Sequence, residues 1–176
     1  MKKVMILFFS FLMSLPVLTM YHAGFFMEDM TEWVVFSSVL IFASTVDYQM
    51  QIIPDSAVFL LIINRVIFIL MFSSPLAETI LLSMFNGLAN SLVVFFTAVF
   101  LSLRLKKTSM GFGDVKLLFA TGMYFSFVEN QLIMIISCLG CITAFLIAKQ
   151  KEKLPFGPFI TLGCLIVKLY ISLRSV

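Results

Sequence analysis

Two aspartates carry most of the chemistry that this sequence offers. Asp47 and Asp114 each stand at one end of an apolar stretch too short to cross a bilayer unaided. Trp33–Val46 supplies 14 uncharged residues, where a spanning helix needs about 20. The helix is therefore expected to continue into Asp47-Tyr-Gln-Met-Gln, which draws Asp47 to the edge of the hydrocarbon. Leu117–Val128 is also short and pulls Asp114 the same way. An ionisable group at membrane depth is costly and marks a functional site by default. Two carboxyls close together in a medium of low dielectric cannot both ionise easily, so they share one proton. The charged partner can then take a proton from water while the protonated partner donates to a carbonyl oxygen, which is general acid–base hydrolysis.

The neighbours of these residues support the reading. Gly111-Phe112-Gly113 directly precedes Asp114, and glycine lets another backbone approach closely, as a peptide beside a carboxylate requires. Each aspartate alone also has a plainer role, since Asp114 suits the N-terminal turn of a helix and Asp47 the polar end of one. Their coincidence at one membrane face is what favours chemistry. Asp55 follows Pro54 and, with Ser56, is of the type that caps a helix N-terminus. Lys116 either extends its head to water or steers an acidic group of a substrate. Asn86 and Asn90 lie four apart on one helix face, where they suit hydrogen bonds between helices. Arg65 falls mid-helix and is expected to pair with an asparagine or a carboxylate. Cys138-Leu-Gly-Cys141 has the spacing of a metal or redox pair. It lies within an apolar run with no second pair, so helix packing is expected instead. With one histidine, His22, at an interfacial position and no carboxylate cluster, neither a metal site nor a cofactor is expected.

The elements that position these groups follow from composition. Of 176 residues, 61% are hydrophobic and 12% charged, about half the charged share of a soluble domain. A soluble enzyme, a disordered tail and a disulfide-stapled module are excluded, and the net charge of +3 is too weak to indicate nucleic acid. The apolar runs are Val4–Met20, Trp33–Val46, Ser56–Phe72, Thr79–Leu103, Leu117–Val128, Gln131–Ala148 and Phe156–Leu173, the last carrying Lys168. They describe an all-α, polytopic bundle of about seven transmembrane helices, or six if the first is a cleaved signal. The expected organisation is an N-terminal helix with an acidic outer loop over 1–32, and a membrane domain over 33–176. Lys2, Lys3, Arg104, Lys106, Lys107, Lys116, Lys149, Lys151 and Lys153 sort to one side, and only Arg174 clearly to the other. By the positive-inside rule the N-terminus is cytoplasmic, and both aspartates lie at the cytoplasmic face.

The residues resemble a known family. Asp47-Tyr-Gln-Met-Gln-Ile-Ile-Pro54-Asp55 is similar to the first aspartate motif of the type IV prepilin (leader) peptidases. Met110-Gly111-Phe112-Gly113-Asp114-Val-Lys116-Leu-Leu is similar to their second motif. Pro155-Phe-Gly157-Pro158-Phe resembles the element before their last helix. The resemblance implies an aspartic endopeptidase of the GxGD type in a bacterial inner membrane. Asp47 and Asp114 would be its catalytic pair, and Pro54, Asp55, Gly111, Gly113, Lys116, Pro155, Gly157 and Pro158 would support the motifs. Its partners would be the bilayer and a type IV prepilin or a secretion-system pseudopilin, whose short basic leader it would remove. Full-length members carry a cytoplasmic domain with two C-x-x-C pairs that bind zinc, and they N-methylate the new pilin terminus. Those pairs are not in this sequence, so cleavage without methylation is expected. Two rival readings are a small transporter or proton channel, and a non-enzymatic subunit of a pilus or secretion machine. The oligomeric state is open.

Overall fold

The structure, a computed structural model, describes residues 13–21, 24, 27–105, 111–148 and 154–174. His22 and the lysines at 2, 3, 106, 107, 149, 151 and 153 lie outside the described residues. All regular structure among the described residues is helical. The order is α1 (residues 13–21), α2 (Met27–Met50), α3 (Asp55–Phe72), α4 (Leu76–Leu105), α5 (Phe112–Gly122), α6 (Phe127–Ala148) and α7 (Gly157–Arg174). Five of these, α2, α3, α4, α6 and α7, are long and apolar enough to cross a membrane. This is the architecture of a polytopic helical membrane protein. The 11 residues of α5 reach only about 16 Å at 1.5 Å per residue, roughly half of a ~30 Å hydrocarbon layer.

Three boundaries differ from the apolar pattern, each for a physical reason. The helix α2 begins at Met27, so Glu28 and Asp29 lie in its first turn instead of a loop. Acids there face the unsatisfied N–H groups and the positive end of the helix dipole. The helix α6 begins at Phe127, ahead of the break that the apolar runs leave at Glu129-Asn130. Ser126 and Glu129 form a reciprocal cap: the Ser126 N–H donates to Glu129 Oε2 at 2.8 Å, and the Glu129 N–H to Ser126 Oγ at 3.5 Å, the arrangement of a capping box. The helix α5 takes in Phe112, Gly113 and Asp114 at its start and stops at Gly122, six residues before the apolar run ends.

The described chain divides into two compact units, residues 1–52 with 132–176, and residues 53–131. In the first, α2 buries Trp33, Phe36, Ser37, Leu40, Ala43, Ser44 and Asp47, the three-to-four spacing of a helix face. That face packs on α7, which buries Gly157, Ile160, Thr161, Cys164, Leu165 and Ser172. Thr19 of α1 and Ser172 of α7 share a hydroxyl hydrogen bond of 2.6 Å. Gly163 of α7 leaves room for Ser137 Oγ of α6, which also reaches Phe159 O at 3.0 Å. Lys168 Nζ lies 5.4 Å from the Trp33 ring centre, so this cation rests on an aromatic face. Cys138 is exposed, Cys141 half-buried and Cys164 buried.

In the second unit α5 packs on α4 and α3. The α4–α5 crossing is made by two facing glycines. A methyl group on Gly87 would come 2.7 Å from Phe119 O, and one on Gly122 would come 2.8 Å from the Gly87 Cα. Small residues permit this close backbone approach, which is how helices associate where lipid removes the hydrophobic drive. Asn90, one turn beyond Gly87, donates from Nδ2 to Leu118 O at 3.1 Å, the interhelical bond expected of it. Arg65, expected to pair with an asparagine or a carboxylate, also reaches a main-chain carbonyl and an aromatic ring. Its Nε donates to Met123 O at 3.1 Å, and its guanidinium lies 5.4 Å from the Tyr124 ring centre. Large apolar side chains such as Phe59, Leu81, Phe85 and Phe96 point outward, while Ser37, Ser44, Asn90, Asn130 and Thr161 are buried. Polar groups inside and apolar groups outside suit a lipid surround.

The glycine contact predicts a steep size limit. Gly122→Val should destabilise the protein by about 1–3 kcal/mol or more, read as a lower Tm in detergent. Leu81→Ala, on the exposed face of α4, should stay within about 0.5 kcal/mol of the parent.

Candidate active site

Asp47 sits in the last turn of α2 with 5% of its surface exposed. Its Oδ2 accepts the backbone N–H of Gly157 at 2.8 Å. Gly157 is the first residue of α7, and a helix has no internal acceptor for the N–H groups of its first turn. The carboxylate therefore satisfies an orphan donor and meets the positive end of the α7 dipole. Pro155 and Pro158 flank this donor. Pro158 is tolerated because the first turn has no use for its missing N–H. A methyl group on Gly157 would stand 2.7 Å from Asp47 Oδ2, so only glycine admits the contact. Ser44, three residues before Asp47 on the same face, hydrogen-bonds Thr161 through the two hydroxyls. Thr161 also reaches Gly157 O at 3.1 Å and Leu40 O at 3.4 Å. After Asp47 the helix stops at Gln51, a non-glycine with φ of 54° whose N–H donates to Asp47 O at 2.8 Å.

In the other unit Asp114 is the third residue of α5 and is half-buried. Gly111 holds the N-cap position in extended backbone, and Asp114 N–H donates to Gly111 O at 3.2 Å. A methyl group on Gly111 would come 3.3 Å from Asp114 Oδ2, so this glycine leaves the carboxyl room. Gly113 admits a different neighbour, since a methyl group there would lie 3.3 Å from Ile53 Cβ.

Pro54, not Asp55, occupies the N-cap position of α3, with φ −69°, ψ 129° and no side-chain cap. Asp55, expected as the cap, is the first helical residue instead, and its Oδ1 accepts Lys116 Nζ at 2.8 Å. Both side chains are substantially exposed, so the pair contributes at most about 1 kcal/mol. Lys116 Nζ also lies 5.4 Å from the Phe112 ring centre. The Ile-Pro-Asp stretch and the Gly-Phe-Gly-Asp-Val-Lys stretch thus lie side by side in one unit, touching at Ile53–Gly113 and Asp55–Lys116. Among the described residues, no group of three or more His, Cys, Asp or Glu could hold a metal ion.

Sequence reasoning placed Gly157 and Asp47 in separate motifs and does not reveal that one donates to the other. It also missed Ser44 and Thr161, whose signal is spacing: Ser37, Leu40, Ser44 and Asp47 form one helical stripe, and Thr161 stands one turn after Gly157.

Glycine to alanine in a helix usually stabilises by about 0.5–1 kcal/mol. At Gly157 the sign should reverse. Gly157→Ala is expected to cost about 1–3 kcal/mol, measured as Tm in detergent. The cost should largely disappear in an Asp47→Ala background, since the clash is with that carboxylate. Additive losses in the double variant would disprove the contact.

No curated protein and no solved structure matches the chain. A family model does match, over residues 34–148, a stretch that contains Asp47, Asp55, Gly111, Gly113, Asp114 and Lys116 and covers more than half of the sequence. Its family comprises leader peptidases, which implies a peptidase, a prepilin-type substrate and a membrane setting, in keeping with the five helices able to cross a bilayer. The chain belongs to the type IV leader peptidase family.

Proposed function

We propose that the protein is an aspartic endopeptidase that removes the short basic leader of a type IV prepilin or pseudopilin. Asp47 and Asp114 act as one pair. One carboxylate takes a proton from water as the water oxygen attacks the scissile carbonyl, and the protonated partner donates to the carbonyl oxygen. Collapse of the tetrahedral intermediate then breaks the C–N bond, and a proton returned from the pair leaves with the new amine. The two titrate together, so acid and base are roles of the pair. No cofactor or metal enters these steps.

The observation that carries this reading is how each aspartate is held. Each stands at a helix end beside a glycine: a methyl group on Gly157 would stand 2.7 Å from the Asp47 carboxyl, and one on Gly111 would crowd that of Asp114 at 3.3 Å. Both lie within the region that matches the leader peptidases. Gly113, Pro54, Asp55 and Lys116 support the second aspartate, and Pro155 and Pro158 the first.

The reading extends to topology. Residues 1–32 form an N-terminal helix with its outer acidic segment, and 33–176 form the peptidase domain. The protein crosses a bacterial cytoplasmic membrane several times with its N-terminus in the cytoplasm. Cleavage occurs at that face, towards which most lysines and arginines sort. The activity is cleavage without N-methylation.

Co-expression with a prepilin-type substrate, read as a gel shift, tests it. Asp47→Asn and Asp114→Asn should each lower cleavage by at least ~100-fold while the protein still inserts in the membrane. Wild-type cleavage by either variant would sink the dyad, and no cleavage by the parent protein would leave a non-enzymatic subunit as the better reading. A cysteine-accessibility map that put positions 47 and 114 on opposite membrane faces would do so independently.

A further inference from the structure

The C-terminal end of α5 stops among neighbours that are still mid-course. The two residues that follow it, Met123 and Tyr124, meet Leu61, Asn64 and Arg65, halfway along α3, and the end of α5 itself meets Gly87 and Asn90, well inside α4, both helices long and apolar enough to span. A helix end leaves its last carbonyls without helical donors, and in hydrocarbon each must be satisfied from within the protein.

Here they are. Ala120 O and Thr121 O accept the N–H groups of Met123 and Tyr124 at 3.3 and 3.0 Å. Gly122 O and Phe125 O both accept Asn130 Nδ2 from α6, at 3.2 and 3.1 Å. Met123 O accepts Arg65 Nε from α3 at 3.1 Å. Leu118 O, a turn earlier, accepts Asn90 Nδ2 from α4. Tyr124 completes the set: its hydroxyl donates to Leu61 O at 2.6 Å and accepts from Asn64 Nδ2 at 3.0 Å, while its ring lies under the guanidinium. Side chains from three different helices thus grip one end of an 11-residue rod whose third residue is Asp114.

We infer that Arg65 and Tyr124 are positioning residues for Asp114. They fix where α5 stands along its own axis, and a short helix carries that placement to its other end with little give. An arginine at this depth is expensive, and a packing role alone is served by apolar side chains. A fixed donor to a main-chain carbonyl at the α5 terminus is what the charge supplies. The inference rests on the reading of Asp114 as one of the catalytic pair.

The test is steady-state cleavage of a synthetic prepilin-type peptide, a basic leader followed by an apolar segment, by purified full-length protein in detergent. Rates are normalised to folded protein by size exclusion and Tm. Arg65→Met should lower kcat by about tenfold or more with KM little changed, because a misplaced carboxyl weakens the transition state more than binding. Arg65→Lys, which restores a donor, should recover most of the loss. Tyr124→Phe keeps the ring and loses only the hydroxyl, and should lower kcat by about threefold or more. It carries the test if Arg65→Met does not fold. Wild-type kcat per folded molecule in these variants would overturn the inference, whatever their Tm. Asp114→Asn in the same assay separates the two claims: if it cleaves normally, the catalytic reading falls and the positioning with it.

Discussion

Hydrocarbon offers no hydrogen bonds, and most of this structure follows from that constraint. Every backbone group at membrane depth must find a partner within the protein. Long helices meet the demand along their length, which is why α2, α3, α4, α6 and α7 need little beyond apolar surface and small residues. The short helix α5 cannot. It brings a C-terminus into the company of mid-span helices, and the polar side chains of α3, α4 and α6 are spent on closing it. The same rule acts in reverse at α7, whose opening N–H is closed by the carboxylate of Asp47.

Two kinds of glycine serve this scheme. Gly87 and Gly122 bring backbones together so that Asn90 can reach a main-chain carbonyl. Gly157 and Gly111 do something different, since each stands beside a carboxyl and keeps a methyl group out of its way. The first kind sets helix spacing and the second sets the freedom of an acid. None of the four depends on a positive φ; the non-glycine in the left-handed region is Gln51, just after Asp47.

Much of the fold was legible in the sequence because hydropathy and length are local properties. The shortness of Trp33–Val46 correctly implied that the helix runs through Asp47. The end of α5 was not legible, because Leu117–Val128 stays apolar beyond Gly122 and hides the turn. A readable clue was the spacing of Ser126 and Glu129, which marks a new helix start. Arg65 stands out in the sequence, but the acceptor of its Nε is a backbone carbonyl, and every residue has one. The bond from Gly157 to Asp47 joins positions 110 apart, and only the folded chain reveals it. Asp55 shows how a local preference yields: Pro54 took the cap position, and the carboxylate was left to meet Lys116.

The seam between the Ile-Pro-Asp stretch and the start of α5 joins two periodicities. Ile53 and Asp55 are two apart and stand on either side of Pro54, whose backbone is extended. Gly113 and Lys116 are three apart on a helix and share a face. The contacts Ile53–Gly113 and Asp55–Lys116 exist because a step of two in one segment matches a step of three in the other. A substitution disturbs one contact and leaves its companion, whereas inserting or deleting a single residue in either segment rotates both contacts out of register at once. These two short stretches are therefore constrained in length as well as in residue type.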